Sequence, residues 1–433
     1  MTRTCLNCAD ELNAGPLLPD KIGIFDATCR WWNIMEVFSI LIATLLIYTW
    51  IGYPALVIFL ARKSRQRVSH ESLSDSTVSV AVLVAAHNEE SVIADRLSNL
   101  AQVCDGAGNV DIWVGDDCSD DATCAIVEKW AATHHAVHLV RGGQRVGKCA
   151  VLKRLVVASG ATCNTILVFT DANTKFAPDA LRKLLAPFAD PAIGGVCGRL
   201  IFTSSTGDPS PETAYWRMET RLKMAESAID SCLGGNGAIY AIRATLFWRD
   251  IPDTVIVDDF VIGMKVRERG YRMVYEHAAI ATEDLPHIDD EWGRRVRIGA
   301  GDYQALVLCR GALSPRYGWF AWTFWSHKIL RWFTPHLLIA LGALSTAQCA
   351  SNSPGDWRAH FVAWGWGGAI AATALAFVSR RARGFAGRAS RGWLHFITMQ
   401  IALFTGFIRF CRGSLEGTWE RTDRTGGIVK SDE

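Results

Sequence analysis

Long runs of hydrophobic residues without charge lie toward both ends of the chain. Residues 37–61 contain no Lys, Arg, Asp or Glu over 25 positions. A helix of that length, at about 1.5 Å per residue, crosses a hydrocarbon core of ~30 Å. Similar runs of 20, 21 and 17 residues cover 332–351, 359–379 and 392–408. The first three runs are predicted to be transmembrane helices, and the fourth is predicted to be a transmembrane or re-entrant helix.

Between the first two runs, short apolar segments alternate with helix-like segments. Strands are predicted at residues 78–84, 110–115, 138–141 and 165–170, and helices at 91–103, 122–133 and 148–158. This alternation predicts an α/β fold with a mostly parallel sheet and helices on both faces. Ligands bind such sheets beyond the carboxyl ends of the strands. The loops after Val84, Gly115 and Thr170 are therefore expected to share one crevice.

Basic residues indicate which side of a membrane each segment occupies. Four follow the first run within residues 62–67 and five lie within 380–391, whereas the turn at 352–358 carries one. Because Lys and Arg concentrate on the cytosolic side, the region between the first two runs is predicted to be cytosolic. The resulting division is an extracytoplasmic segment at 1–36, a cytosolic domain at 78–313, a tryptophan-rich interfacial helix at 314–331 and a tail at 409–433.

Composition and charge argue against nucleic-acid binding and against a zinc site, and they suit a membrane protein. The net charge of +2 gives no general attraction for nucleic acid, so no nucleic-acid partner is expected. Half of the 433 residues are hydrophobic, which suits a membrane protein. Cys5 and Cys8 form a C-x-x-C pair, but no second pair or nearby histidine completes a zinc site.

The loops after three predicted strands are acidic or polar. They read Ala85–Glu90, Asp116–Thr123 and Asp171–Thr174. A single acidic residue at a strand end is usually a helix N-cap, but three converging loops indicate a binding site. Carboxylates accept hydrogen bonds from a base or ribose, and hard divalent cations prefer oxygen ligands. This edge of the sheet is therefore predicted to bind a nucleotide.

One segment partly matches a different nucleotide-binding motif. Residues Gly142–Lys148 fit the G-x-x-x-x-G-K part of a phosphate-binding loop. The next residue is Cys149, however, where such loops carry the Ser or Thr that holds Mg²⁺. The segment also follows the third predicted strand instead of the first. A true phosphate-binding loop is not expected, although Lys148 could place positive charge near a diphosphate.

Seven short motifs over residues 78–335 resemble those of the inverting family 2 glycosyltransferases. In chain order they are A-H-N-E-E, D-D-C-S-D-D-A-T, G-K, F-T-D-A-N, G-G-N-G, V-D-D and R-R-V-R. With the flanking apolar runs, the chain is similar to the membrane-integrated branch that includes cellulose, chitin, hyaluronan and poly-N-acetylglucosamine synthases. The resemblance implies a GT-A-like fold in a bacterial inner-membrane protein whose catalytic domain is cytosolic.

The resemblance also implies roles for individual residues. The nucleotide of a UDP-sugar donor is expected to contact Ala85, Glu89, Asp117, Lys148 and Asp171. Asp171 and Asn173 occupy the D-x-D motif that holds the diphosphate through Mg²⁺ or Mn²⁺, and the neutral Asn173 predicts weak metal binding. The acceptor side is expected to comprise Gly235, Asp258, Arg294, Arg295 and Arg297.

Two acidic stretches compete for the role of general base. Thr282–Asp284 has the letters of the family's T-E-D motif, but Val257–Asp259 has its context, an acidic pair followed by an amphipathic helix and G-x-x-x-x-Y. Asp259 is therefore predicted to be the base, ahead of Asp284. A carboxylate suits this step because the acceptor hydroxyl loses its proton only as attack develops.

The leading functional hypothesis is inverting transfer of a sugar to a growing cell-surface polysaccharide. Ile298 stands where processive synthases carry a tryptophan, which favours the alternative of single-sugar transfer to a lipid-linked acceptor. A third hypothesis is a membrane transporter or scaffold with a degenerate transferase domain, and the presence of Asp117, Asp171 and Asp259 disfavours it. Expected partners are the donor, a saccharide or lipid-linked acceptor, membrane lipid, and export or accessory subunits.

Overall fold

A computed structural model describes residues 34–64, 78–105, 108–203, 211–284, 288–351, 357–379 and 385–413. The chain divides into two compact units. One comprises residues 1–47 and 336–372, and the other comprises residues 48–335 and 373–433. The pair Cys5 and Cys8, most of the predicted segment 1–36 and most of the tail 409–433 lie outside the described residues.

An eight-stranded sheet organises the larger unit, in the order β3-β2-β1-β4-β7-β6-β8-β5. The strands are β1 Ser79–Ala86, β2 Val110–Asp116, β3 Val137–Val140, β4 Thr165–Asp171, β5 Lys175–Phe176, β6 Ile193–Thr203, β7 Tyr240–Arg243 and β8 Arg272–Asp284. Strands β3, β2, β1 and β4 are mutually parallel, as the sequence predicts, and β6 is parallel to β8. Strand β7 is antiparallel to β4 and β6, and β5 is antiparallel to β8. The sheet is therefore mixed in its second half.

Both faces of the sheet are covered by apolar residues, because β1 and β4 are apolar on both sides. Leu83 and Phe169 pack with Leu155 of the helix at Lys148–Ala158 on one face. Val82 and Val168 pack with other buried residues on the opposite face. Continuous apolar strands of this kind are typical of buried parallel sheets. Helices on both faces are thus confirmed.

Twelve helices are described besides short 3₁₀ turns. They are α1 Ile34–Lys63, α2 Ile93–Cys104, α3 Thr123–Thr133, α4 Lys148–Ala158, α5 Ala180–Leu185, α6 Pro211–Ile229, α7 Asp258–Glu268, α8 Ile288–Leu308, α9 Trp319–Trp332, α10 Thr334–Ser351, α11 Trp357–Ser379 and α12 Phe385–Cys411. Helix α12 is 27 residues long, longer than the predicted run of 17. It extends beyond both ends of that run and includes Arg391 and Arg409, the charged residues at which the uncharged run ends.

Within the described part of the chain, two helices are long and apolar enough to cross a membrane. They are Ile34–Lys63 and Ala389–Cys411. Helices α9 and α10, broken between Trp332 and Thr334, would count as a third span if taken together, and Gly367–Ser379 is a shorter apolar segment. In the smaller unit, Gln348 donates a hydrogen bond to the hydroxyl of Ser39 at 3.3 Å, which joins α10 to α1.

Candidate active site

The loops after β1 and β2 are bonded to each other at the carboxyl edge of the sheet. The backbone N–H of Glu89 donates to Thr123 Oγ1 at 2.8 Å, and that of Asp120 donates to Asn88 Oδ1 at 3.0 Å. Asn88 and Cys118 adopt left-handed backbone conformations, with φ of 55° and 62°. Ordinary residues avoid this region, so the two loops are held in one defined shape. Ala85 lies near this carboxyl edge of the sheet, where it is paired in register with Asp171 of β4.

Asp117 is fully buried beneath the segment that precedes α4. Its two carboxylate oxygens accept hydrogen bonds from the backbone N–H groups of Val146 and Gly147, at 2.8 and 2.9 Å. Carboxylates that accept several backbone N–H bonds make strong, charge-assisted contacts. Asp117 therefore fixes the start of α4 and with it Lys148. Its predicted contact with the nucleotide stays a prediction.

Three elements meet around the ammonium group of Lys148. Its Nζ donates to Asp171 Oδ1, at the end of β4, at 2.7 Å. The same Nζ lies 3.8 Å from Asp258 Oδ1, at the start of α7. Burial by itself would lower the pKa of Lys148, but the carboxylates of Asp171 and Asp258 outweigh it and raise the pKa above its ordinary value. The sequence motifs G-K, D-A-N and V-D-D thus converge on one point.

Asp258 is more deeply placed than its neighbour Asp259. Its side chain is 6% exposed, and among the described residues its Oδ2 has no hydrogen-bond partner. Burial raises the pKa of Asp258 to about 6; Lys148 opposes the shift, while Asp259 and Asp171 add to it. Asp258 is predicted on the acceptor side, whereas the structure places it against Lys148, which is predicted on the nucleotide side.

The G-G-N-G segment lies against Asp171 and the first turns of α7. Gly234 has a φ of +67°, and the backbone N–H of Gly235 donates to the carbonyl of Asp259 at 3.0 Å. A Cβ at Gly237 would lie 3.0 Å from Asp171 Oδ2, and one at Gly263 would lie 2.7 Å from Gly234 Cα. Side chains at these positions would displace α7 or the Asp171 carboxylate. Gly235 therefore positions Asp259 through the backbone.

Asp259, the predicted base, is half-buried in the first turn of α7. Its Oδ1 accepts a hydrogen bond from the Phe260 N–H at 2.8 Å. No described residue bonds to Oδ2, which leaves one carboxylate oxygen to accept a proton. The competing Asp284 lies at the exposed end of β8, where its Oδ1 accepts a hydrogen bond from Thr203 Oγ1 at 2.8 Å. Asp284 thus joins two strands at the sheet end.

The predicted arginines of the acceptor side lie on α8. Arg294, Arg295 and Arg297 are all half-buried, as is Ile298. Burial and then the neighbouring charge of Arg294 lower the pKa of Arg297, while Asp258 acts in the opposite direction. Arg297 therefore lies close enough to Asp258 for their charges to interact. Helix α8 is anchored by Tyr303, whose hydroxyl donates to the carbonyl of Trp332 at 2.5 Å.

A buried arginine that the motifs did not reveal supports Asp171. Arg96 on α2 is 1% exposed, donates to Thr170 Oγ1 at 2.7 Å, and stacks over Phe176 at 4.4 Å from the ring centre. Thr170 in turn donates to the carbonyl of Ala238 at 2.7 Å. Burial lowers the pKa of Arg96 to about 9. These contacts tie the end of β4 to the residue that follows the G-G-N-G segment.

The motifs also did not reveal a second set of charges, the α6–α9 charge network, in which Lys328 and Arg331 are half-buried and the other members are buried. Its members are Tyr53, Glu219, Glu226, His327, Lys328 and Arg331. His327 lies between two glutamates, with Nδ1 2.5 Å from Glu226 Oε1 and Nε2 3.0 Å from Glu219 Oε2. Lys328 donates to Glu219 Oε1 at 2.6 Å. Burial would raise the pKa of Glu219, but His327, Lys328 and Arg331 bring it well below its usual range.

A sequence signal for this network exists on α6. Glu219, Lys223 and Glu226 are spaced i, i+4, i+7, which places them on one face of a helix. Such a stripe is normally solvated, yet all three side chains are buried. Lys223 donates to the carbonyl of Gly235 at 3.2 Å. The stripe thus links the aromatic helix α9 to the glycine segment behind Asp259.

The oxygen atoms near Asp171 are of a kind that a divalent cation accepts. Among the described residues, no group of three His, Cys, Asp or Glu side chains is arranged to hold a metal. Asp171 and the half-buried Asn173 flank the turn after β4, and Asp258 offers an oxygen without a partner. Hard ligands of this type suit Mg²⁺ or Mn²⁺. These residues would fit such an ion if phosphate oxygens of a bound nucleotide supplied its remaining ligands.

Comparisons with known proteins find similarity to glycosyltransferases. Residues 81–254 match the family described as Glycosyl transferase family 2. A beta-monoglucosyldiacylglycerol synthase from Synechocystis sp. is 24% identical over 60% of this chain and 57% of its own length. An N-acetylglucosaminyltransferase from Rhizobium leguminosarum bv. viciae is 26% identical over 48% of this chain and 51% of its own. The chain spans about half the length of these curated relatives.

A solved structure extends the likeness across most of the chain. A mannosyltransferase from Pyrobaculum calidifontis, in complex with GDP-Man and Mn²⁺, superimposes with a TM-score of 0.62. It is 22% identical and covers 87% of this chain and 99% of its own. At this identity the likeness concerns the fold. The fold is GT-A-like, with an α/β sheet and helices on both faces, as predicted.

Proposed function

We propose that this protein is an inverting glycosyltransferase that takes a sugar from a nucleotide-diphosphate donor. The observation that carries the proposal is the meeting of Lys148, Asp171 and Asp258 at the carboxyl edge of a GT-A-like sheet. Such an edge is where α/β proteins bind nucleotides. The family match over residues 81–254 and the glycosyltransferase relatives support the same reaction class.

The donor's diphosphate would lie against the cations of this site. The donor's phosphate oxygens would contact Lys148, which lies beside Asp171 and Asp258, and Arg297, whose charge interacts with that of Asp258. Asp171, Asn173 and Asp258 would hold a divalent cation, which when bound neutralises charge on the leaving diphosphate. Fixed positive groups of this kind stabilise charge as it develops in the transition state. The leaving group therefore departs without needing a protein acid.

Asp259 would act on the other side of the sugar. The acceptor hydroxyl oxygen forms a bond to the anomeric carbon while the bond from that carbon to the diphosphate oxygen breaks. The hydroxyl proton passes to Asp259, and the nucleoside diphosphate leaves with the electron pair. Attack opposite the leaving group inverts the anomeric carbon. The hydrogen bond from Gly235 to the Asp259 carbonyl would hold the base in place.

We infer a lipid-linked acceptor and a single transfer per encounter. Ile298 offers no aromatic face on which the end of a polymer could stack, and a beta-monoglucosyldiacylglycerol synthase is among the relatives. Transfer to a growing cell-surface polysaccharide is the second candidate. The N-acetylglucosaminyltransferase relatives and the apolar helices on both sides of the domain favour it.

The test is to incubate membranes containing the protein with radiolabelled UDP- and GDP-sugars, with and without excess chelator. A product that extracts into organic solvent with one added sugar supports the lipid acceptor, whereas a long water-soluble or insoluble polymer supports the polysaccharide. No sugar transfer from any donor, with the protein folded, contradicts the proposed function. Full activity in chelator would remove the metal from the mechanism.

The topology makes a separate prediction, because nucleotide sugars are made in the cytosol. We expect an impermeant thiol reagent added to intact cells to label a single cysteine at Ser353 and not one at Ser390. Ser353, like Arg380, Arg381 and Arg383, lies outside the described residues. The basic residues on either side of the predicted hairpin favour this orientation. Ser390 lies near the start of α12.

The labelling uses a chain without its 13 native cysteines, after transfer activity has been checked. Permeabilised cells serve as the control, since Ser390→Cys must react there if its thiol is accessible. A third position, Ser431, reports the side of the tail. Labelling of Ser390→Cys but not Ser353→Cys in intact cells would reverse the orientation and place the site away from cytosolic donors.

A further inference from the structure

The ammonium group of Lys148 occupies the position between carboxylates where a cation would bind. It lies 2.7 Å from Asp171 Oδ1 and 3.8 Å from Asp258 Oδ1. Two carboxylates that approach one point repel each other unless a positive charge lies between them. In this protein a side chain from the start of α4 supplies that charge. The ammonium group thus supplies the positive charge that a metal ion would otherwise supply between these two carboxylates.

Asp258 provides a second, independent observation. Its side chain is 6% exposed, yet among the described residues its Oδ2 has no hydrogen-bond partner. Buried polar atoms without a partner are costly and rare. An oxygen beside the cation position, already removed from water, is suited to coordinate an ion. Asn173, in contrast, offers only a neutral amide oxygen.

We propose that Lys148, Asp171 and Asp258 form a cation-exchange site. Without donor, the Lys148 ammonium holds the place of a divalent cation. When a nucleotide-diphosphate donor arrives, Lys148 moves to its phosphate oxygens, and a hard divalent cation takes its place. Asp258 then supplies the charged ligand that Asn173 lacks.

The exchange follows from charge balance. Two cations cannot share the small space between Asp171 and Asp258 without strong repulsion. A diphosphate brings negative charge and new oxygen ligands at once, so it attracts the lysine and completes the metal's coordination. Metal binding to the free protein should therefore be weak, and it should strengthen when Lys148 is removed or when donor is present.

The experiment measures Mn²⁺ binding to the full-length protein in detergent, by electron paramagnetic resonance of the unbound ion, without donor or acceptor. We expect Lys148→Met to bind Mn²⁺ at least about tenfold more tightly than the unmodified protein, which corresponds to about 1.4 kcal/mol. Adding Asp258→Asn to that variant should reverse the gain. Lys153→Met is the matched control, because Lys153 lies on the same helix and pairs with Asp253. It should leave Mn²⁺ binding unchanged.

Affinity in Lys148→Met that equals that of the unmodified protein would overturn the proposal, as would a gain that survives Asp258→Asn. A gain of the same size in Lys153→Met would show a general surface effect and also overturn it. If Lys148→Met fails to fold, Asn173→Asp replaces it: Mn²⁺ binding should tighten, and Asp258→Asn should weaken it again. The role of the site rests on the proposed function, but binding is measured without transfer, so the two can fail separately.

Discussion

Asp259→Asn should abolish most sugar transfer while leaving donor binding intact. Asparagine keeps the size and the Oδ1 acceptor for the Phe260 N–H but cannot take a proton. A general base contributes about 10²–10⁴-fold to such reactions, so we expect a loss of transfer rate in that range. The rate is measured with saturating donor and acceptor, and donor binding is measured separately by calorimetry.

Asp284→Asn is the matched control for this experiment. Asp284 accepts a hydrogen bond from Thr203 at the end of β8, and an amide oxygen can accept the same bond. Its transfer rate should stay within a few-fold of the unmodified protein. If Asp284→Asn loses the activity and Asp259→Asn keeps it, the base has been assigned to the wrong acidic stretch.

Removal of Glu219 should clearly destabilise the protein, because this carboxylate pairs with His327, Lys328 and Arg331 in the α6–α9 charge network. Glu219 is 4% exposed and accepts hydrogen bonds from Lys328 at 2.6 Å and from Arg331 at 3.3 Å. Glu219→Ala would leave the buried His327 and the half-buried Lys328 and Arg331 without this carboxylate. Breaking a buried ion pair from one side costs about 3–5 kcal/mol. Thermal unfolding in detergent, followed by tryptophan fluorescence, should show a clear fall in the midpoint.

An exposed ion pair of similar geometry provides the comparison. Arg141 donates to Glu128 Oε1 at 2.6 Å, but both side chains are more than half exposed. Exposed pairs of this kind contribute little to stability because water and salt screen the charges, so Glu128→Ala should hardly move the midpoint. Equal shifts for Glu219→Ala and Glu128→Ala would show that the buried network contributes no special stability. Glu219→Gln, which keeps the acceptor oxygen but not the charge, should fall between the two.

The sequence determined the first half of the fold because its signals there are local. Strands β1 and β4 are apolar over almost their whole length, β2 is apolar apart from Asp111 and its last two residues, and each ends in a polar loop. Helices follow the loops after β1 and β2. Asp171 and the loop after β2 lie at the same edge of the sheet, and this placement follows from that alternation. The position of candidate site residues at strand ends could therefore be predicted from the amino-acid sequence alone.

The second half of the sheet could not be predicted in the same way. Strands β5 and β7 have only two and four residues, which is too short for a hydrophobic period to appear. Their antiparallel pairing with β8 and with β4 and β6 depends on distant contacts. Helix α12 likewise extends past arginines that end an uncharged run, because backbone hydrogen bonding does not stop at a charged side chain.

The chain by itself predicts which residues would carry chemistry: Lys148, Asp171 and Asp259 stand in motifs that follow predicted strands or begin predicted helices. Tertiary structure decided how they meet. Only folding places Asp258 against Lys148 at 3.8 Å, buries Asp117 under the N–H groups of Val146 and Gly147, and encloses His327 between two glutamates. These contacts join residues 29 to 110 positions apart. No local pattern encodes them, since burial and charge pairing depend on which surfaces the packed sheet and helices bring together.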